Sequence, residues 1–149
     1  MSSLPHFDTL IIIKTILLED AYIMVVEDDP NAKLVTMDLL RMGRAGECFS
    51  RNSVDSALHF AEQLPRIDLF LADINMPVKS GYDLLDLVRQ HPTLKTAKIV
   101  AISAGTLDED VQHARDLGFD GFIGKPLQAS KFIDQVQRVL NGESVWEWR

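Results

Sequence analysis

IMVVEDDP, residues 23–30, sets an unbroken apolar run directly against three carboxylates. Ile23, Met24, Val25 and Val26 read as a strand too hydrophobic to face water on either side, which is the signature of a strand covered on both faces. Glu27, Asp28 and Asp29 follow without a break, and adjacent carboxylates repel one another. Asp29 has a local explanation, because an aspartate followed by a proline makes an N-cap and first-turn pair for a helix. Glu27 and Asp28 remain as an acidic pair at the end of a buried strand, a place that asks for a cation.

Outward from that stretch, short apolar runs alternate with amphipathic ones. Strands are predicted at Tyr22–Val26, Glu47–Ser50, Leu69–Ala72, Ile99–Ser103 and Gly121–Ile123. A helix follows each. The first runs from Pro30 to about Arg41 and ends near Gly43. The second carries Val54, Ala57, Leu58 and Ala61 and stops before Pro65. The third carries Leu84, Leu85, Leu87 and Val88 and stops before Pro92. The fourth spans Asp108 to Leu117 with Gly118 behind it, and the fifth sets Phe132, Ile133, Val136, Val139 and Leu140 on one side ahead of Asn141 and Gly142. Five such units predict an α/β domain with a doubly wound, five-stranded parallel sheet, right-handed crossovers and helices on both faces.

Composition narrows the function. At 149 residues and 46% hydrophobic, the chain fits one domain with a substantial core. Net charge −7 and the lack of any run of basic residues argue against direct nucleic-acid binding. The single cysteine, Cys48, cannot form an internal disulfide and reads as a buried strand thiol in a reducing cytosol. LIIIKTILL, residues 10–18, is apolar, but it is too short to span a bilayer and has Lys14 at its middle. With no basic segment before it and no small-residue cleavage site after it, neither secretion nor a membrane role is expected. His6, His59, His91 and His113 show no metal-ligand spacing and read as surface or helix residues.

In parallel sheets of this kind the functional crevice lies beyond the carboxyl ends of the strands. The residues there are Glu27 and Asp28 after the first strand, Asp73 after the third, Ser103 closing the fourth and Lys125 after the fifth. Three carboxylates brought together are costly unless a cation neutralises them, and hard oxygen donors suit Mg2+. An ammonium and a hydroxyl facing them would serve the oxygens of a phosphoryl group.

MVVEDDP, LADINMPVKSGYDLL, VAISA and GFIGKPL together resemble the receiver domains of two-component response regulators, in order and spacing across residues 21–141. The resemblance implies a flavodoxin-like (βα)5 fold with strand order 2-1-3-4-5. It makes Asp73 the phosphoacceptor, attacking a phosphohistidine on a sensor histidine kinase or histidine phosphotransfer protein to form an aspartyl phosphate, with no turnover of an external substrate. Asp28 and Asp73 would hold Mg2+ through side chains, the Asn75 backbone carbonyl would join them, and Glu27 would act mostly through a bound water. Lys125 would pair with the phosphoryl oxygens and Ser103 would hydrogen-bond to them. Phe122 would change rotamer with Ser103 as the switch, although a buried strand aromatic is also ordinary core. Ala104 would leave the phosphate open, Met76, Pro77 and Gly81 would shape the loop after Asp73, and Asn75 and Gly105 occupy positions that tune the phosphoryl lifetime. The Lys125–Pro126 bond would be cis.

The chain departs from the family pattern at both ends. Residues 1–20 precede the expected start and could be a packed helix, an element pairing two copies as a homodimer, a disordered tail or translated upstream sequence. We expect an ordered extension, because so much exposed apolar surface favours association. After Leu140 only residues 141–149 remain, with 142–149 read as a tail, so a stand-alone receiver is expected, with output by contact with a target protein through the face of the fourth helix, fifth strand and fifth helix. Trp146 and Trp148 are expected to pack back on the domain. A phosphohydrolase of the dehalogenase-like class would put its nucleophile on the first strand with a second Asp two residues on, whereas here the acidic pair comes first and Asn75 takes that position. Flavodoxin-like cofactor binding would need a glycine- or hydroxyl-rich first turn. The alternative that stays open is a receiver-like interaction module that is never phosphorylated.

Overall fold

The computed structural model describes residues 15–105 and 107–148. The strands are β1 (Tyr22–Val26), β2 (Glu47–Arg51), β3 (Leu69–Asp73), β4 (Lys98–Ser103), β5 (Gly121–Gly124) and β6 (Val145–Glu147). The helices are α1 (Pro30–Met42), α2 (Val54–Ala61), α3 (Gly81–Gln90), α4 (Asp108–Leu117) and α5 (Ala129–Leu140). All strands are parallel, in the order β2-β1-β3-β4-β5-β6. The expected order 2-1-3-4-5 is present, and the correction is at its edge: residues 145–147, expected in a tail, form a sixth strand on β5. VWE is too short to show a strand period, which is why the sequence alone did not reveal it.

Strand alternation divides the core between the two faces of the sheet. Ile23 and Val25 pack with Leu40 of α1 and with Phe132, Val136, Val139 and Leu140 of α5. Met24 and Val26 pack on the other face with Val54 and Ala57 of α2, Leu84, Leu85 and Val88 of α3, and Val111 and Ala114 of α4. β3 is buried along its whole length. That central position between β1 and β4 brings its last residue, Asp73, to the middle of the carboxyl edge.

Helix ends follow local chemistry. Asp29 caps α1 by accepting from the Ala32 N–H at 2.9 Å, and Pro30 opens the helix as expected. Ser80 and Asp83 form a reciprocal capping box on α3. Gly118 closes α4 at φ 103°, where a side chain would be strained.

Residues 1–14, which hold most of the apolar extension, lie outside the described residues. Its final part is docked: the Leu18 N–H donates to Gln137 Oε1 at 2.9 Å, Gln137 Nε2 donates to the Ile16 carbonyl at 3.1 Å, and Leu18 is buried against the α1–α5 face. Among the described residues no helix is long and apolar enough to cross a membrane.

Cys48 lies on β2, half-buried. Burial first, and then the neighbouring Glu47 carboxylate, push its thiol up to about 11. The protonated thiol is therefore favoured by the folded chain, and that contribution to stability is lost as pH rises above the ordinary thiol value toward 11. At pH 7.5 we expect alkylation of Cys48 by iodoacetamide to run at least about tenfold slower than that of a free cysteine; a rate equal to the free thiol would contradict this.

Candidate functional site

Glu27, Asp28 and Asp73 meet where β1 and β3 end. One carboxylate oxygen from each lies within 4.8 Å of the others, with Glu27 and Asp73 buried and Asp28 exposed. Adjacent parallel strands in register produce this, since Val26 stands beside Ala72 and Glu27 and Asp73 are the next residue of each.

Lys125 enters from the end of β5. Its Nζ is 2.7 Å from Glu27 Oε1 and 3.4 Å from Asp73 Oδ2. The other Glu27 oxygen accepts from the Asp29 backbone N–H at 3.2 Å, a contact that the sequence reading did not foresee for a residue assigned only to capping. Burial pushes the Glu27 carboxyl above its ordinary value, opposed in part by the Lys125 hydrogen bond. For Lys125, burial alone would lower the value, but the bond to Glu27 and the charge on Asp73 outweigh it and hold the ammonium above the ordinary lysine range.

The remaining candidates fall around this centre. Ser103, buried at the end of β4, accepts the Gly105 N–H on its Oγ at 3.0 Å, and its carbonyl accepts the Lys125 N–H at 2.8 Å. The Asn75 backbone N–H donates to Asp73 Oδ1 at 3.1 Å. Gly81 is demanded by close approach, since a Cβ there would stand 2.9 Å from the Asp73 carbonyl oxygen. The Lys125–Pro126 peptide is cis. Phe122 is wholly buried, 0% exposed, among the side chains of the α2–α4 face. The described histidines, His59, His91 and His113, lie outside the site, and His91 bonds to Glu62 at 2.9 Å instead.

A groove of ≈390 Å³ opens beside Lys125, between the start of α1 and the Ala104 and Pro126 loops, with Val35 and Leu127 on its walls. Across the site, Val78 in the β3–α3 loop is fully exposed and has φ 68°. A left-handed β-branched residue costs about 1–2 kcal/mol, and glycine recovers that less its own entropic cost of roughly 0.5–1 kcal/mol. Val78→Gly is therefore expected to raise stability by about 0.5–1 kcal/mol in urea unfolding, and a fall in the midpoint would contradict it.

The donor set fits a divalent cation. One ammonium faces three carboxylates, so a fully ionised site retains the charge that one Mg2+ would balance, and the donors are hard oxygens. Glu27, Asp28 and Asp73 are the residues that would hold it.

A model of the response regulator receiver domain matches residues 23–137, and the chain belongs to that family. Stress response regulator protein 1 of Meyerozyma guilliermondii is 31% identical over 121 residues, covering 80% of this chain and 56% of that protein. The chemotaxis protein CheY4 of Vibrio cholerae superposes with a TM-score of 0.73 at 25% identity, over 80% of this chain and 98% of that one. The receiver domain of sensor histidine kinase PA1611 of Pseudomonas aeruginosa PAO1, solved with a magnesium ion coordinated in its active site cleft, shares the fold at a TM-score of 0.71 and 24% identity, over 83% of this chain and 98% of that one. This chain is thus a receiver domain of the two-component type.

Proposed function

We propose that Asp73 accepts a phosphoryl group from the phosphohistidine of a sensor histidine kinase or a histidine phosphotransfer protein, and that the phosphorylated domain signals to a target protein by contact. The observation that carries this reading is the Lys125 ammonium set 2.7 Å from Glu27 and 3.4 Å from Asp73 at the mouth of three converged carboxylates. An Asp73 oxygen attacks phosphorus in line, the O–P bond forms as the P–N bond to histidine breaks, and the electron pair leaves with the imidazole.

Lys125 then turns from the carboxylates toward the phosphoryl oxygens, and Ser103 gives up its contact with Gly105 to donate its hydroxyl hydrogen to one of them. Mg2+, as coordinated in the PA1611 receiver, would supply charge neutralisation, held here by Glu27, Asp28, Asp73 and the Asn75 carbonyl. The groove walled by Val35 and Leu127 leaves room for the donor's own side chains next to Lys125. Every position of the site is filled by the residue type the chemistry needs, which weighs against a module that is never phosphorylated.

The test is intact mass after incubation with a small phosphodonor and Mg2+, with EDTA as control. A single phosphoryl adduct that needs Mg2+ is the expected result. No adduct, under conditions that modify another receiver, would favour the unphosphorylated module.

A further inference from the structure

β5 reads Gly-Phe-Ile-Gly, and β6 gives both glycines their reason. A Cβ on Gly121 would stand 2.6 Å from the Val145 carbonyl oxygen, and one on Gly124 would stand 2.5 Å from that of Trp148. The atoms in the way are backbone, which cannot swing aside as the end of a flexible side chain can. β6 is also held from both faces of the sheet. On the α5 side, Glu147 accepts from Gln135 Nε2 and from Arg138 Nη1, each at 2.9 Å. On the α4 side, the Arg115 guanidinium lies 4.5 Å from the Trp146 ring centre. Val145 between them is 0% exposed.

The match to the receiver family ends at residue 137, before β6 begins. This chain's own strand therefore sits on the α4–β5–α5 face, where the resemblance led us to expect a target. It also makes β5 an interior strand, and that bears on the site. Lys125 follows Gly124 directly. On one side of it the Lys125 N–H is bonded to the Ser103 carbonyl of β4, and on the other the Trp148 backbone lies across Gly124. A lysine stem is long and flexible, so where its ammonium rests depends on how firmly the backbone beneath it is fixed.

We propose that β6 positions Lys125: Glu147, gripped by Gln135 and Arg138, and Trp148, laid over Gly124, fix the end of β5 so that the ammonium stays between Glu27 and Asp73. Glu147 and Trp148 are positioning residues, since neither touches the carboxylates. Only the consequence for phosphorylation rate rests on the phosphoacceptor reading; the seating of the lysine does not.

Glu147→Lys in the full chain tests it, because it sets a second cation against Arg138. Glu147→Gln, which keeps one of the two accepting oxygens and loses the charge facing Arg138, is the milder variant. Trp146 and Trp148 are the only tryptophans of the sequence, so acrylamide quenching of tryptophan emission reads β6 and the residue that follows it. In Glu147→Lys we expect quenching to rise, acylation of Lys125 to accelerate severalfold against exposed Lys95 in the same digest, and Mg2+-dependent phosphorylation to slow about tenfold. Mg2+ affinity should rise, because an ammonium drawn away from Glu27 and Asp73 leaves their charge to the cation, and Glu147→Gln should show smaller changes of the same sign.

Val145→Asp, which forces a carboxylate into the buried face of β6, is the second route to a loosened strand, with far-UV circular dichroism confirming the fold. Loosened tryptophans with unchanged Lys125 acylation, in either variant, overturn the proposal. So does failure of both variants to loosen β6, since Glu147 and Val145 would then not be what holds it. If Lys125 responds as expected while even the unmodified chain takes no phosphoryl group, the seating stands and the phosphoacceptor reading fails.

Discussion

Asp73→Asn is expected to lower phosphorylation by a small phosphodonor by at least about 10³-fold while leaving the fold intact. Asparagine has nearly the shape of aspartate and keeps an oxygen for the Asn75 N–H, now 3.1 Å from Asp73 Oδ1. Lys125 keeps its 2.7 Å bond to Glu27. What disappears is the nucleophilic carboxylate, together with one of three mutually repelling charges. In EDTA the variant should therefore be as stable as the unmodified chain or more stable by up to about 1 kcal/mol. Intact mass and a thermal melt on the same sample read both effects. Retained phosphate would remove Asp73 from the acceptor's role, and a large loss of stability would mean that its carboxylate is structural.

Lys125→Ala carries the second large effect, and it acts on stability as well as on transfer. Glu27 is 4% exposed, and the ammonium at 2.7 Å is its only cationic side-chain partner among the described residues. Removing one member of a buried ion pair strands the other and costs about 3–5 kcal/mol when both are fully buried. The Lys125 side chain is 24% exposed, so water reaches the gap and we expect a smaller loss, about 2–3 kcal/mol in EDTA. Added Mg2+ should stabilise this variant more than the unmodified chain, because the cation then meets carboxylates that no ammonium neutralises. Transfer should persist at a rate reduced by about two orders of magnitude, for want of one positive charge at the phosphoryl oxygens. Equal Mg2+-induced shifts in melting temperature would show that Lys125 and the cation do not share the same carboxylates.

Much of this was legible in the chain before its coordinates. IMVV followed by three acids placed a buried strand and its polar end together, and the Asp-Pro step placed the α1 cap on Asp29. Repeated strand-then-helix units set the topology, and the carboxyl-end rule then gathered Glu27, Asp28, Asp73, Ser103 and Lys125 without knowledge of a single distance. The contacts that were not legible depend on tertiary approach. That the Asp29 N–H would reach Glu27 follows from the turn's geometry, which residue types alone do not specify. The sixth strand was hidden because three residues carry no periodicity, and its trace in the sequence was indirect. A strand bracketed by Gly121 and Gly124 has glycines at positions where a strand gains nothing from them, unless another backbone lies close by. Phe122 illustrates a different limit. The resemblance, not the residue type, implied a switching role for it, and it is wholly enclosed and stands beside Trp146 in the register of β5 and β6.

The most direct measurement is to reduce the phosphorylated protein with borohydride and map the product by peptide mass spectrometry. An acyl phosphate on an aspartate is reduced to homoserine, whereas an unmodified carboxylate is untouched. Homoserine at position 73 alone, absent from a sample prepared in EDTA, is the expected result. Homoserine at Asp28 or elsewhere, or a phosphoryl adduct that survives reduction unchanged, would contradict Asp73 as the acceptor.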